Sequence, residues 1–196
     1  MKAPLCCTLL LLTIVVHMPV SAQNSNSNAQ ATSTSGTQGL PLSPATLERI
    51  SKEVRHELLL LPFYGVFDNL AYRVQSDGTV VLQGQVVRPT LKSDAENAVK
   101  RIEGVTRVVN NIEVLPVSPN DDRIRRDVYR AIYSNQVLSQ YALRAVPTIH
   151  IIVKNGHATL EGAVARQMDK QIAEIQAKSV PGVFSVTNNL RVDNGR

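Results

Sequence analysis

Beyond the apolar N-terminal stretch, which holds His17, the residues best equipped for chemistry are the histidines His56, His150 and His157, the adjacent carboxylates Asp121-Asp122, and the asparagine pairs Asn110-Asn111 and Asn188-Asn189. An imidazole working as a general base or metal ligand needs a carboxylate or cysteine partner at motif spacing. The three histidines fall on three different elements without that company, so His150 reads as a strand-face residue and His157 as a turn residue. The chain holds no Gly-x-Ser-x-Gly elbow, no phosphate-cradling glycine loop and no His-Glu-x-x-His pattern. Asp121-Asp122 follows Pro119-Asn120 at a helix start, where carboxylates complement the helix dipole, and reads as capping. The asparagine pairs recur at matching places and suit the ending or bending of a strand. No constellation carries a reaction, and the expectation is a non-enzymatic protein without metal or cofactor.

Two other sets suit interfacial chemistry. Arg123, Arg126 and Arg130 recur at i, i+3 and i+7, on the side of a helix away from Ile124, Val128 and Ile132. Such a row is either a solvated face or a contact with an anionic surface. Met168, Ile172 and Ile175 form a second apolar row beside the core stripe Ala173, Ala177 and Val180, with Lys170 and Lys178 on the same helix. A stripe of this kind marks an outside partner such as a lipid interface, or docking against the rest of the chain. Residues 46–116 carry nine basic and nine acidic side chains, whereas 121–196 carry eleven and seven, so the excess positive charge lies in the C-terminal half. A pI near 9.4 is compatible with nucleic acid, but 4% aromatic content and an export signal argue against that partner.

The elements that must position these residues are duplicated. Val74 to Gly84 and Ile152 to Gly162 are hairpin tips with Asp77-Gly78 and Asn155-Gly156 at the turns, each expected to be a tight type I′ turn. Between Gly78 and Val114, 15 of 37 residues are identical to those 78 positions later, which is a tandem duplication. In the first copy Leu47, Ile50, Val54 and Leu58 give an amphipathic helix after Ser43-Pro44, and Leu70, Tyr72 and Val74 alternate along a strand. Val80 and Leu82 continue that face; a helix follows with Ala95, Val99 and Ile102 inward, and Val105 to Val114 supplies the last strand. Gly78, Gly84, Gly104 and their counterparts Gly156, Gly162 and Gly182 are the turn and cap glycines. The fold class is therefore α+β: two tandem α-β-β-α-β units, each a mixed three-stranded sheet with two helices on one face. In the second copy Thr148 to Val153 is apolar on both faces, where the first has Ala71, Arg73 and Gln75 outward. That contrast places the seam between the units on Ile149, Ile151 and Val153.

Residues 1–22 read as a signal peptide: Lys2, an apolar run from Leu5 to Val16, and small residues before a cleavage after Ala22. Cys6 and Cys7 lie inside it, so the exported chain is expected to be unlipidated and free of disulfides. Residues 23–43 form a linker rich in Asn, Ser, Thr and Gln, too poor in apolar side chains to order. The units then span 44–116 and 121–193, with a linker at 117–120 and a tail at 194–196.

A helix, a strand, Asp/Asn-Gly, a Val-x-Leu-x-Gly strand, a helix, Gly-Val and a Val-x-Asn-Asn-x-x-Val strand resemble the BON domain (bacterial OsmY and nodulation). The resemblance covers 46–116 and 122–193. It implies a bacterial, periplasmic, non-enzymatic module that binds anionic phospholipid peripherally at the membrane surface and serves envelope integrity or the osmotic stress response. The alternative it leaves open is a protein-interaction or chaperone-like module of the envelope. Lipid-anchored relatives would carry a cysteine at the cleavage site, where this chain has Gln23.

Overall fold

The computed structural model describes residues 42–144 and 146–193; the expected signal peptide, the linker up to residue 41 and the C-terminal tail lie outside them. The first module is built from α1 (Pro44–Leu59), β1 (Asn69–Val74), β2 (Thr79–Val86), α2 (Pro89–Lys100) and β3 (Arg107–Val114). Ser43 caps α1, its hydroxyl accepting from the Thr46 amide, and Pro44 sits where a helix needs no amide donor. The second module repeats the plan with α3 (Pro119–Tyr133), β4 (Ile149–Lys154), β5 (His157–Val164) and α4 (Gln167–Lys178). A single 3-10 turn, Ser139–Ala142, lies between α3 and β4. Its last strand is broken into β6 (Ser185–Asn188) and β7 (Arg191–Val192). In both sheets the middle strand pairs antiparallel with the first and parallel with the last. Helix α3 begins at Pro119, inside the stretch expected to be linker, because Ser118 rather than a later residue is its cap.

Each module has its own core. Ile50, Val54 and Leu58 of α1 meet Val80, Leu82, Ala95 and Val99 in the first; Ile124, Val128 and Ile132 of α3 meet Leu160, Ala173 and Ala177 in the second. Two ties recur that hold the last strand to the second helix. Asn110 donates to the Lys92 carbonyl and the Glu96 carboxylate, and Asn188 does the same to Lys170 and Glu174. Each asparagine oxygen also accepts the amide two residues on, at Ile112 and Leu190. In the second module that local bond sits at the break between β6 and β7, whereas in the first β3 runs past it unbroken.

The two hairpins differ. Lys154 pairs with His157 across Asn155 and Gly156, both at positive φ, which is the type I′ turn. In the turn of the first module Gly78 alone takes positive φ; Gln75 donates to Thr79, Gly78 donates to Gln75, and Asp77 accepts both the amide and the hydroxyl of Thr79. This is a longer loop with a bulge at Gly78, one residue more than its counterpart. Leu70, Tyr72 and Val74 stand opposite Gly84, Leu82 and Val80; Ile149, Ile151 and Val153 stand opposite Gly162, Leu160 and Ala158. The first strands are therefore related by 79 positions, not 78, and a one-residue slip exchanges the faces of a strand.

The modules meet where the α1–β1 connection of the first lies along the free edge of β4. The Ile151 amide donates to the Val66 carbonyl at 2.8 Å, Tyr64 stacks on His150, and Phe67 packs edge-on against Tyr129. Lys154 pairs with Glu113 of the first module.

Candidate functional site

The face to which the sequence points is the helical layer of the second module. Asp121, fully buried, accepts the Asn155 and Gly156 amides, which fastens the start of α3 to the hairpin tip. It is thus also an anchor for the turn; the cap side chain is Ser118, and Asp121 and Asp122 lie in the first turn of α3, where carboxylates complement the helix dipole. Arg125, 2% exposed, donates to the Val153 carbonyl at 2.6 Å and pairs with Asp122. Helix α4 ends at Lys178 with Ser179 as its cap, and the turn that follows brings Gly182 beside Arg123. The outer side of α3 carries Arg123, Arg126 and Arg130 into solvent. Asp127 pairs with both Arg123 and Arg130, whereas Arg126 has no carboxylate partner among the described residues. One carboxylate against three guanidiniums leaves the row cationic.

On α4, Met168 is 62% and Ile175 63% exposed, while Ile172 is half-buried against the core. They are about 10 Å apart along the axis. Lys178 pairs with Glu174, and that ion pair with the Asn188 bond holds the Glu174 carboxyl below its ordinary range; Lys170 has no such partner among the described residues. The exposure of Met168 and Ile175 removes docking against the first module as their role. The first module has polar residues, Thr90 and Asn97, at these positions.

Sequence reasoning missed Phe184, 75% exposed, whose ring lies over Gly156 at the hairpin tip and 6.0 Å from His157. The signal was available, since the repeat offset sets Phe184 against Thr106. Arg123 stands beside Gly182, whose carbonyl lies near Gly156.

The seam residues need correction. Ile149, Ile151 and Val153 are fully buried, but within the core of the second module, against which Val66 and Phe67 also pack. The register shift makes them the inward row, counterparts of Leu70, Tyr72 and Val74. What faces the first module is the edge of β4 and its outer face, His150 and Ile152. Burial holds His150 below its ordinary pKa and Asp68 above its own, and pushes Tyr64 up to about 12. His56 is exposed at the end of α1, and His157 bonds Ser185 at 2.7 Å, so the three imidazoles do not converge. Among the described residues no three His, Cys, Asp or Glu side chains gather where they could hold a metal ion, and no helix is long and apolar enough to cross a membrane.

The family description BON domain matches residues 47–116 and 120–194. Among solved structures, the chain is similar to CdsD, a structural protein of the type III secretion system of Chlamydia trachomatis, at 15% identity and a TM-score of 0.27, over 74% of this chain and 92% of that one. A structure of the C-terminal domain of the same protein is similar at 12% identity and a TM-score of 0.26, over 72% and 96%. Among curated proteins none matches.

Proposed function

Because the chain belongs to the BON domain family, whose members are non-catalytic binding modules, we propose that it is an exported, periplasmic, non-enzymatic protein that binds anionic phospholipid peripherally at the membrane surface. The contact is the helical face of the second module, and its role lies in envelope integrity or the response to osmotic stress. The observation that carries this reading is the pairing of the exposed Met168 and Ile175 with an incompletely neutralised arginine row, in one module of a duplicated pair and not in the other. Apolar side chains at the headgroup boundary and roughly 1 kcal/mol per basic residue near an anionic leaflet act together.

Co-sedimentation of residues 23–196 with anionic and with zwitterionic vesicles, at low and moderate salt, tests it. The expected result is binding to anionic vesicles that weakens as salt rises and is lost in a Met168→Asp/Ile175→Asp variant. Both positions are exposed, so the variant folds. Absence of binding to either vesicle sinks the membrane reading and turns the same surface into bait for an envelope protein.

A further inference from the structure

The two modules treat the outer edge of their first strand differently. In β4 three of the main-chain groups that point away from β5 are occupied: Tyr133 donates to the Ile149 carbonyl, the Ile151 amide donates to Val66, and Arg125 donates to the Val153 carbonyl. In β1 the shared register, with the Gln75 amide bonded inward to Thr79, turns Leu70, Tyr72 and Val74 outward in the same way. Among the described residues no main-chain group bonds that edge; the Tyr64 hydroxyl lies beside the Leu70 amide, and the Tyr72 groups take no such partner. An open edge is a template for another strand.

This edge is also one wall of a cleft between the modules, about 900 Å³ in volume, whose opposite wall includes Thr148 and His150. Thr148 Oγ1 and His150 Nδ1 are buried and without a hydrogen-bond partner. Arg55, Arg144 and Arg191 line the cleft, and none pairs with a carboxylate among the described residues. The acidic lining is Glu161, already accepting from Asn189, and Asp193.

We propose that the cleft takes an extended, acidic peptide segment of a partner protein, which adds as a strand to the free edge of β1. Tyr72 supplies the main-chain pairing, and the arginines read carboxylates on alternate side chains through bidentate bonds. This site is separate from the helical face of the second module, and neither depends on the other.

The test is titration of residues 23–196 with short synthetic peptides that alternate Glu and Val, beside peptides with Lys for Glu and peptides with alternate amides N-methylated. The expected result is hydrogen-exchange protection of the Tyr72 amide by the Glu peptide, with affinity reduced about tenfold or more in Arg55→Glu/Arg191→Glu. The N-methylated peptide should give no protection, since it cannot pair along the strand. Failure of the Glu peptide to bind, equal binding by the N-methylated one, or protection confined to other segments overturns the proposal. Sedimentation equilibrium of the chain alone adds one more outcome: a dimer whose Tyr72 amide is already protected makes a second copy the occupant and overturns the peptide assignment.

Discussion

The first and second modules share a frame to the level of single hydrogen bonds, yet they distribute their polar and apolar groups in opposite ways. The first keeps an apolar Leu47 where the second buries Asp121, and Ser51 where the second buries Arg125. Its surface is polar at Thr90, Asn97 and Thr106, where the second exposes Met168, Ile175 and Phe184. Its strand edge is open, where the other is closed by a tyrosine, an arginine and a loop. The lesson is that duplication conserved the ties that make the sheet and helix cohere and released everything outside them. Interior charge in the second module closes an edge and pins a turn, so that module can spend its surface on apolar contact without exposing a strand to pairing.

The largest effect is expected where the modules are alike. A Cβ at Gly84 would stand 2.0 Å from the Asn69 carbonyl oxygen, and one at Gly162 2.0 Å from that of Thr148, both at strongly positive φ. Gly84→Ala and Gly162→Ala should each cost about 3–5 kcal/mol in denaturant unfolding, since backbone must move to admit the methyl group. A tolerated alanine at one site alone would show that the shared frame is not equally rigid in the two copies.

The next effect is specific to the second module. Arg125→Met keeps the apolar stem but leaves the buried Val153 carbonyl unsatisfied, at a cost of about 2–3 kcal/mol. Hydrogen exchange should then show the Val153 end of β4 opening, so that its edge comes to resemble β1. No change in protection would mean that water or the Asp121 anchor suffices to close the edge.

How much of this was legible follows from the kind of signal each feature leaves. The helix stripes, the Asn-Gly turn and the repeat length leave periodic signals, and the α-β-β-α-β order follows from them. The two Asx-Gly turns look equivalent, but Asp77 engages Thr79 with its side chain and builds a bulge, and nothing in the repeat offset shows the extra residue. That single residue moved Ile149, Ile151 and Val153 from an expected seam into a core. The true seam is made by the α1–β1 connection, Tyr64 to Asp68, a segment outside the alignable repeat and therefore silent in it. Of the candidate site, the Met168 and Ile175 row was visible because its helix is aligned without a gap, and Phe184 was equally visible but lies on a loop, where a helical period cannot flag it.

A smaller effect sharpens the surface comparison. Exchanging Phe184→Thr into the second module should weaken binding to anionic vesicles about tenfold, the equivalent of about 1.4 kcal/mol, because a half-inserted ring contributes less than full burial. Phe184 packs on Gly156 from outside, so far-UV circular dichroism and the unfolding midpoint should change little. Unchanged vesicle binding would confine the contact to the α4 row. The reciprocal Thr106→Phe change should give the first module no vesicle affinity of its own, for it has no excess charge beside the ring.

The smallest effect concerns the seam and its dependence on pH. His150 is flanked by Tyr64 and Asp68 of the first module and Glu161 of β5, and burial holds it below its ordinary value in the fold. The unfolded chain therefore takes up a proton first as pH falls through the ordinary histidine range near 6.5, and the fold loses stability from there down to the lowered value. Asp68 acts in the opposite sense and in a lower window, because its raised value lets the fold keep a proton that the unfolded chain has released. Between about pH 7.5 and about pH 5 the histidine should dominate, so the unfolding midpoint falls on acidification. His150→Gln should flatten that slope, with the residual trend in the carboxylate range left to Asp68. An unchanged slope in the variant would place the acid sensitivity outside the seam and leave the contact between the modules indifferent to pH.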